Sequence, residues 1–77
     1  MQMQVKKGDM ICAYGISAVI DRIIYQDIHC PDDGRMRYAD VEFIDSTGIY
    51  RHYKSSYDGG SIRLADGTAV RFPREIP

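Results

Sequence analysis

Short runs rich in isoleucine, valine, tyrosine and phenylalanine alternate along the chain with clusters of turn-forming residues. These clusters lie at 14–15, 31–34, 45–48, 57–60 and 65–67. Turn chemistry that recurs at intervals of roughly 10 to 20 residues, between runs that favour strands, predicts a meander of short antiparallel strands. The six tyrosines of the chain strengthen that preference.

The last two runs predict a hairpin closed by a three-residue loop at 65–67. This loop places Ile62 opposite Val70, so that apolar side chains share one face. A two-residue turn would instead pair Ile62 with Arg71. Because a slip of one residue moves every side chain to the other face, the longer loop is preferred, with Gly67 in the left-handed conformation.

The hairpin before it is predicted with a four-residue loop over 45–48. In this register Phe43 lies opposite Tyr50 and Glu42 lies opposite Arg51. One face of the hairpin then carries the aromatic side chains. The other carries an opposite-charge pair, which stabilises a sheet by about 0.2–1 kcal/mol.

The stretch 16–28 fits two kinds of element. Its isoleucines and valine recur at the spacing of an amphipathic helix. Nearly all of these residues are β-branched, however, which favours a strand. A bulge near 21–22 would turn the side chains of both 19–20 and 23–24 partly toward the core. We therefore expect a bulged strand, with a helix at about 17–29 in an α+β fold as the alternative.

The length of 77 residues limits what such strands can build. A folded chain of this size removes only about 63% of its surface from water, which supports one small core. Hydrophobic residues make up 44% of the chain and charged residues 27%, as in ordinary globular domains. We therefore predict one all-β domain over 1–77, a small and strongly bent antiparallel barrel of about five or six strands.

Three segments resemble the small barrels of the Tudor and KOW families. The opening of KOW-type barrels resembles the segment Lys7-Gly8-Asp9. The second Tudor strand resembles Ala18-Val19-Ile20-Asp21-Arg22-Ile23. The third Tudor strand and its turn resemble Val41-Glu42-Phe43-Ile44-Asp45 with Gly48 after it. The resemblance covers roughly 7–55 and implies a Src-homology-3-like barrel that binds through aromatic or basic loops.

Tudor domains receive methylated lysine or arginine in an aromatic cage, and this chain departs from that pattern. Ser46 and Thr47 occupy the turn where the family usually supplies an aromatic ring, and the chain has no tryptophan. Tyr14 is the only aromatic residue near the first loop. Because cation–π capture needs ring faces around the ammonium group, the resemblance supports the fold more than the ligand.

The net charge of −1 arises from ten lysines and arginines against eleven acidic residues. A protein that depends on phosphate contacts is usually far more basic. The charges are nevertheless uneven: seven of the acidic residues lie within 21–45, whereas basic residues outnumber acidic ones after Gly48. A local basic surface therefore stays compatible with the sequence.

The amino-terminal segment 1–9 is polar, and no window of the chain has the length and hydrophobicity of a signal peptide or membrane span. The chain has two cysteines, Cys12 and Cys30, and a secreted domain of this size usually carries more. We therefore expect a cytoplasmic protein without membrane contact, in which the two cysteines are not bridged. The alternative is a disulfide between Cys12 and Cys30.

Residues with catalytic or metal-binding chemistry do not fall into supportive spacings. The soft metal ligands lack the paired spacing of a zinc site. They are Cys12, His29, Cys30 and His52. The segment 52–58 holds a histidine, two serines and an aspartate, but these are too close in sequence to form a catalytic triad readily. We predict no catalytic residue, no metal site and no cofactor.

Aromatic and basic residues interleave through the middle of the chain. In the predicted register, Arg37, Arg51 and Tyr53 face away from the layer of Phe43. Exposed tyrosine and arginine carry much of the binding energy at protein interfaces, although tyrosines also cap the ends of small barrels. The predicted binding residues are Tyr14, Arg37, Tyr38, Arg51, Tyr53, Lys54 and Tyr57.

These observations predict a non-enzymatic interaction module. We expect it to bind a protein partner, or to self-associate as a homo-oligomer, through its tyrosine- and arginine-rich face. The alternative is binding of single-stranded RNA or DNA by a KOW-like barrel, since tyrosine and arginine also stack on unpaired bases.

Overall fold

Seven β-strands and no helix make up the described part of the chain, which in the computed structural model comprises residues 2–29, 37–56 and 60–72. The strands are β1 (Gln2–Met3), β2 (Met10–Ala13), β3 (Ile16–His29), β4 (Tyr38–Asp45), β5 (Tyr50–Ser56), β6 (Ser61–Arg63) and β7 (Ala69–Arg71). The all-β prediction is therefore confirmed. The alternative of a helix at about 17–29 is wrong, because β-branched residues and cross-strand pairing override the helical spacing.

Among the described residues all the strand pairings are antiparallel. The strands follow the order β5-β4-β3-β2-β6-β7, and β1 pairs with β3 outside this path. The long strand β3 connects the two halves of the sheet. Its first residues, Ile16 to Val19, pair with β2, and the rest pairs with β4 and β1. β3 therefore decides how the two halves are oriented.

β3 contains two irregularities that change which side chains face inward. The first lies between Ile20 and Arg22, as the sequence predicted, and a second lies between Ile23 and Tyr25. Because each extra residue shifts the alternation by one, Ile20 is 1% exposed and Ile23 is half-buried, whereas Ile24 is 53% exposed. The bulged strand is confirmed, but only one residue of each predicted pair turns inward.

The core draws on every strand from β2 to β6 and on residues outside the strands. Phe43 and Phe72 are its largest fully buried side chains. Burying such side chains is the main favourable term in the folding of this small chain. The core residues are Val5, Ile11, Ala18, Ile20, Ile28, Ala39, Val41, Phe43, Tyr53, Ile62 and Phe72.

A buried carboxylate, Asp9, connects three distant parts of the chain. It is 0% exposed, and it accepts hydrogen bonds from the backbone N–H of Lys6 at 2.9 Å and from the backbone N–H of Ala65. Its own carbonyl accepts from Ile20 N–H at 2.8 Å, and the Ile20 carbonyl accepts from Gly8 N–H at 2.9 Å. The segment before β2, the middle of β3 and the last hairpin are thereby held together.

The register predicted for the last hairpin is confirmed. Ile62 pairs with Val70, and Arg63 pairs with Ala69. Gly67 closes the three-residue loop with a φ of 94°, a conformation in which a side chain is strained. The alternation of apolar side chains in β6 and β7 was therefore sufficient to define this pairing.

The register predicted for the β4–β5 hairpin is wrong by one residue. Phe43 pairs with Arg51 rather than with Tyr50, because the loop is a three-residue loop, 46–48, and not a four-residue one. Asp45 N–H donates to the Ile49 carbonyl at 2.9 Å and therefore belongs to the ladder. This turn has the same geometry as the loop at 65–67.

The corrected register reverses the two faces of β5. Tyr53, predicted to be exposed, is 5% exposed and belongs to the core, whereas Tyr50, predicted to face inward, is 50% exposed. The predicted Glu42–Arg51 pair is absent, because Glu42 pairs with His52 in register. Arg51 lies on the Phe43 side of the sheet, so its predicted outward orientation is also wrong.

Asp9→Ala should lower the free energy of unfolding by about 3 kcal/mol, because the backbone N–H groups of Lys6 and Ala65 lose their acceptor on a fully buried side chain. Urea unfolding followed by circular dichroism measures this. Asp21→Ala is the matched control, since Asp21 is exposed and its ion pair with Lys7 spans 3.7 Å. It should change stability by less than about 0.5 kcal/mol. Equal losses for the two variants would contradict the structural role of Asp9.

Candidate functional site

An open groove of about 390 Å³ lies between β5 and the β2–β3 hairpin. Aliphatic side chains and one phenylalanine form its floor, and aromatic and basic side chains form its rim. The floor residues are Ile11, Ala13, Ile16, Ala18 and Phe43. The rim and β5 wall comprise Tyr14, Tyr50, Arg51, His52, Tyr53 and Lys54. An apolar floor with a few polar groups around it is the usual composition of a protein binding site.

Tyr14 stands at the mouth of this groove in an unusual backbone conformation. Ala13 pairs with Ile16, so Tyr14 and Gly15 form a two-residue turn with φ values of 54° and 77°. Positive φ at both positions is typical of the type I′ turn, which favours asparagine followed by glycine. A bulky side chain at positive φ is uncommon. The Tyr14 side chain is 76% exposed.

Asp45 organises the turn that leads into β5. Its carboxylate is 3% exposed and accepts hydrogen bonds from the Thr47 hydroxyl at 2.6 Å and from the N–H groups of Thr47 and Ile49 at 2.9 Å. Arg51 Nε donates to it at 2.9 Å. The Thr47 hydroxyl, followed by the Ile49 N–H and Arg51, holds the pKa of Asp45 well below its ordinary value of 3.8. Arg51 is thereby oriented along the groove wall.

The outer face of the β4–β5 ladder carries acidic residues that hold the rim. The Tyr50 hydroxyl donates to Glu42 Oε1 at 2.5 Å, and His52 Nε2 lies 2.7 Å from Asp40 Oδ1. The hydrogen bond to Glu42 raises the pKa of Tyr50 above its ordinary value. Asp40 also pairs in register with Lys54. The acidic side chains of β4 therefore contact the rim residues but do not line the groove.

Four of the seven predicted binding residues come together at the groove. They are Tyr14, Arg51, Tyr53 and Lys54. Arg37 directly precedes β4 and is half-buried, outside the groove. Tyr57 lies outside the described residues.

Tyr38 lies at the far end of the ladder and is occupied by intramolecular contacts. Its hydroxyl donates to Asp27 Oδ2 at 2.5 Å, which raises the pKa of Tyr38, and its ring stacks on His29 with centroids 5.8 Å apart. Tyr38 and Lys54 also line a second cavity of about 530 Å³. Tyr38 is therefore separated from the groove, although Lys54 borders both cavities.

The sequence interpretation missed two exposed rim residues, Tyr50 and His52, and the aliphatic floor. Both rim residues were assigned to the inner face by the incorrect register. The correct register follows from a three-residue loop, Ser46-Thr47-Gly48, like the one before β7. In that register both residues face outward. The floor could be found only from the juxtaposition of β2, β3 and β5, which sequence periodicity does not reveal.

The residues considered from the sequence for metal binding or catalysis lie at separate places in the described structure or outside it. Cys12 is a free, half-buried thiol, and Cys30 lies outside the described residues. Among residues 2–29, 37–56 and 60–72, no three histidine, cysteine or acidic side chains cluster as metal ligands. His52 and Ser56 are exposed, whereas Ser55 is buried on the opposite face of β5, and Asp58 lies outside the described residues. No helix capable of spanning a membrane occurs in the described part of the chain.

No protein-family model, curated protein or solved structure matches this chain. The likeness to Tudor and KOW barrels therefore depends on the short motifs alone. The function of the groove has to be inferred from its own geometry and chemistry.

Asp45→Asn should lower the free energy of unfolding at pH 7, because the amide is a poorer acceptor for the Thr47 and Ile49 N–H groups and for Arg51. The folded-state pKa of Asp45 lies below its unfolded value. The carboxylate therefore stabilises the fold fully above about pH 5. This contribution declines as the pH falls below the ordinary pKa of 3.8 and is lost only when the pH falls through the lower pKa of the folded state. Urea unfolding at several pH values should show the two proteins converging in acid.

Asp66→Asn is the matched control for this turn carboxylate. Asp66 accepts from Thr68 N–H at 2.8 Å, but it is exposed, so solvent screens its interactions. We expect a smaller loss at pH 7 than for Asp45→Asn. A difference between wild type and Asp45→Asn that does not change with pH would contradict the role of the Asp45 charge.

Proposed function

We propose that this chain is a non-enzymatic interaction module that binds a protein partner in the groove between β5 and the β2–β3 hairpin. The exposed Tyr14 at the mouth of the groove is the observation that supports this proposal most. Its positive φ is unfavourable for a bulky residue, and strained residues cluster at functional sites. A tyrosine stands where asparagine would fit the backbone better, which supports a role for its ring in binding.

The composition of the groove also supports a protein partner. Tyrosine and arginine are enriched at interfaces, and an apolar floor allows side chains of a partner to be buried. Tyr14, Tyr50 and Arg51 border the aliphatic floor formed by residues such as Ile16. Arg51 is oriented before binding by its hydrogen bond to Asp45, which reduces the entropy lost when a complex forms.

We further propose that the sheet curls into a partly open barrel of the Src-homology-3-like type. The strand order supports this, because β5 and β6 lie at separate places along the pairing path and yet contribute Tyr53 and Ile62 to one core. The bulges of β3 supply the bending that such a barrel needs. The groove would then be the gap between β5 and the β2–β3 hairpin.

Single-stranded nucleic acid is the second candidate ligand. Tyr14 and Tyr50 could stack on bases while Arg51 and Lys54 contact phosphates. The net charge of −1 and the acidic outer face, with Asp40 and Glu42, weigh against it. Retention on an oligonucleotide that falls steeply with salt would favour this candidate over a protein partner.

Tyr14→Asn should raise the free energy of unfolding by about 0.5–1 kcal/mol, because asparagine tolerates the left-handed conformation. The same variant should lose retention of the partner captured by the wild-type protein from its native lysate, since it removes the aromatic ring at the groove mouth. Thermal unfolding and quantitative affinity capture measure the two effects. Self-association is tested by sedimentation over a range of protein concentrations.

Ile24→Ala is the matched control for the capture experiment. Ile24 is 53% exposed on β3 but does not line the groove. We expect this variant to retain the partner as the wild-type protein does. Full retention by Tyr14→Asn, or equal loss by both variants, would overturn the assignment of the binding site.

A further inference from the structure

We infer that the segment 73–77, which follows β7, folds back into the groove and competes there with the partner. This inference rests on the proposed function, because it assigns a regulation to the same site. Residues 73–77 lie outside the described part of the chain. Three observations support the inference: the place where the described chain ends, the direction in which β7 leads, and the chemistry shared by segment and groove.

The described chain ends close to the strand that forms part of the groove floor. Phe72 N–H donates to the Gly60 carbonyl at 2.8 Å, so these two residues lie side by side. Cys12 of β2 pairs with Ser61, which places the next residue of β2, Ala13, level with Gly60. Two strand spacings, or about 10 Å, therefore separate Phe72 from Ala13.

β7 leads toward the end of the sheet at which the groove opens. β2 and β7 are both antiparallel to β6, so they run in the same direction, and β2 leads directly to Tyr14 at the groove mouth. The Phe72 side chain is fully buried in the core, on the face that Ala13 shares. Five residues of extended chain reach about 17 Å, which is farther than the floor.

The groove favours an apolar occupant without net charge. Two of its three basic residues already have acidic partners, because Arg51 Nε donates to Asp45 and His52 Nε2 lies 2.7 Å from Asp40 Oδ1. Its floor is formed by apolar side chains, and that of Ile16 is 51% exposed. Burial of apolar surface is therefore the main gain that the groove offers to a ligand.

The segment 73–77 has the composition that such a groove favours. It reads Pro-Arg-Glu-Ile-Pro, so the charges of Arg74 and Glu75 cancel and Ile76 supplies an aliphatic side chain. The two prolines restrict the backbone before docking, which reduces the entropy that docking costs. Because a short tether gives an effective concentration of about the millimolar range, even a weak contact with the floor is populated.

Paramagnetic broadening of amide signals in the full chain tests the contact. A nitroxide is attached to the variant Pro77→Cys, in which both native cysteines are replaced by serine. We expect broadening of the amides of Tyr50 and Lys54, which border the groove on the β5 side. Ile76→Asp in the same background should remove this broadening, because a carboxylate is costly to bury on an apolar floor.

Glu75→Gln is the matched control, since it changes the neighbouring residue and leaves the aliphatic side chain in place. This variant should retain the broadening at β5. Absence of broadening at β5 in the parent protein, or equal broadening in Ile76→Asp, would overturn the inference. Broadening that arises only between labelled and unlabelled copies in a mixed sample would also overturn it, because a second copy would then occupy the groove.

Capture of the native partner separates this inference from the proposed function. Ile76→Asp should raise retention of that partner by about two- to fivefold, because the apparent affinity scales with the fraction of open groove. Unchanged retention would overturn the competition. If Tyr14→Asn loses the partner but the nitroxide broadens no amide of β5, this inference alone fails. If Tyr14→Asn retains the partner, the proposed function fails, and the competition fails with it.

Discussion

The buried Asp9 carboxylate is the constraint on which the arrangement of the sheet depends. A charged group that is fully removed from water must be compensated by hydrogen bonds, and Asp9 finds them on segments far apart in sequence, at Lys6 and Ala65. Its backbone is bonded to Ile20, next to the first bulge of β3. The last hairpin is thereby held against the bend of the longest strand, and the two halves of the sheet share one core.

Asp45 follows the same principle on the other side of β3, where it also orients a side chain of the groove. It too is a buried carboxylate whose acceptors are filled by backbone N–H groups, but it also binds the guanidinium of Arg51. Asp45 is paired with Ile20 across β3 and β4. Ile20 is therefore bonded to the backbone of Asp9 and lies opposite Asp45, so the groove wall is connected to the same bend that Asp9 stabilises.

Sequence reasoning succeeded where apolar residues alternate clearly and failed where they do not. Ile62 and Val70 determine the last hairpin, and the β-branched run predicts β3 with its first bulge. β5 contains no aliphatic residue, so hydropathy alone hardly distinguishes its two registers. The choice of register depended on whether Asp45 belongs to the loop or to the strand. Its burial could not be predicted, because it results from contacts with Arg51 and the turn that exist only in the folded structure. The groove was missed because it is formed by strands distant in the chain.

The composition of β5 that obscured its register also explains how it can remain an edge strand. An uncovered edge invites pairing with other chains, and proteins commonly protect such edges with charged side chains. In the described residues β5 pairs only with β4, and it carries Arg51, His52 and Lys54 but no aliphatic residue. The polar residues that make the two registers of β5 hard to distinguish by hydropathy are therefore also the ones that protect its edge.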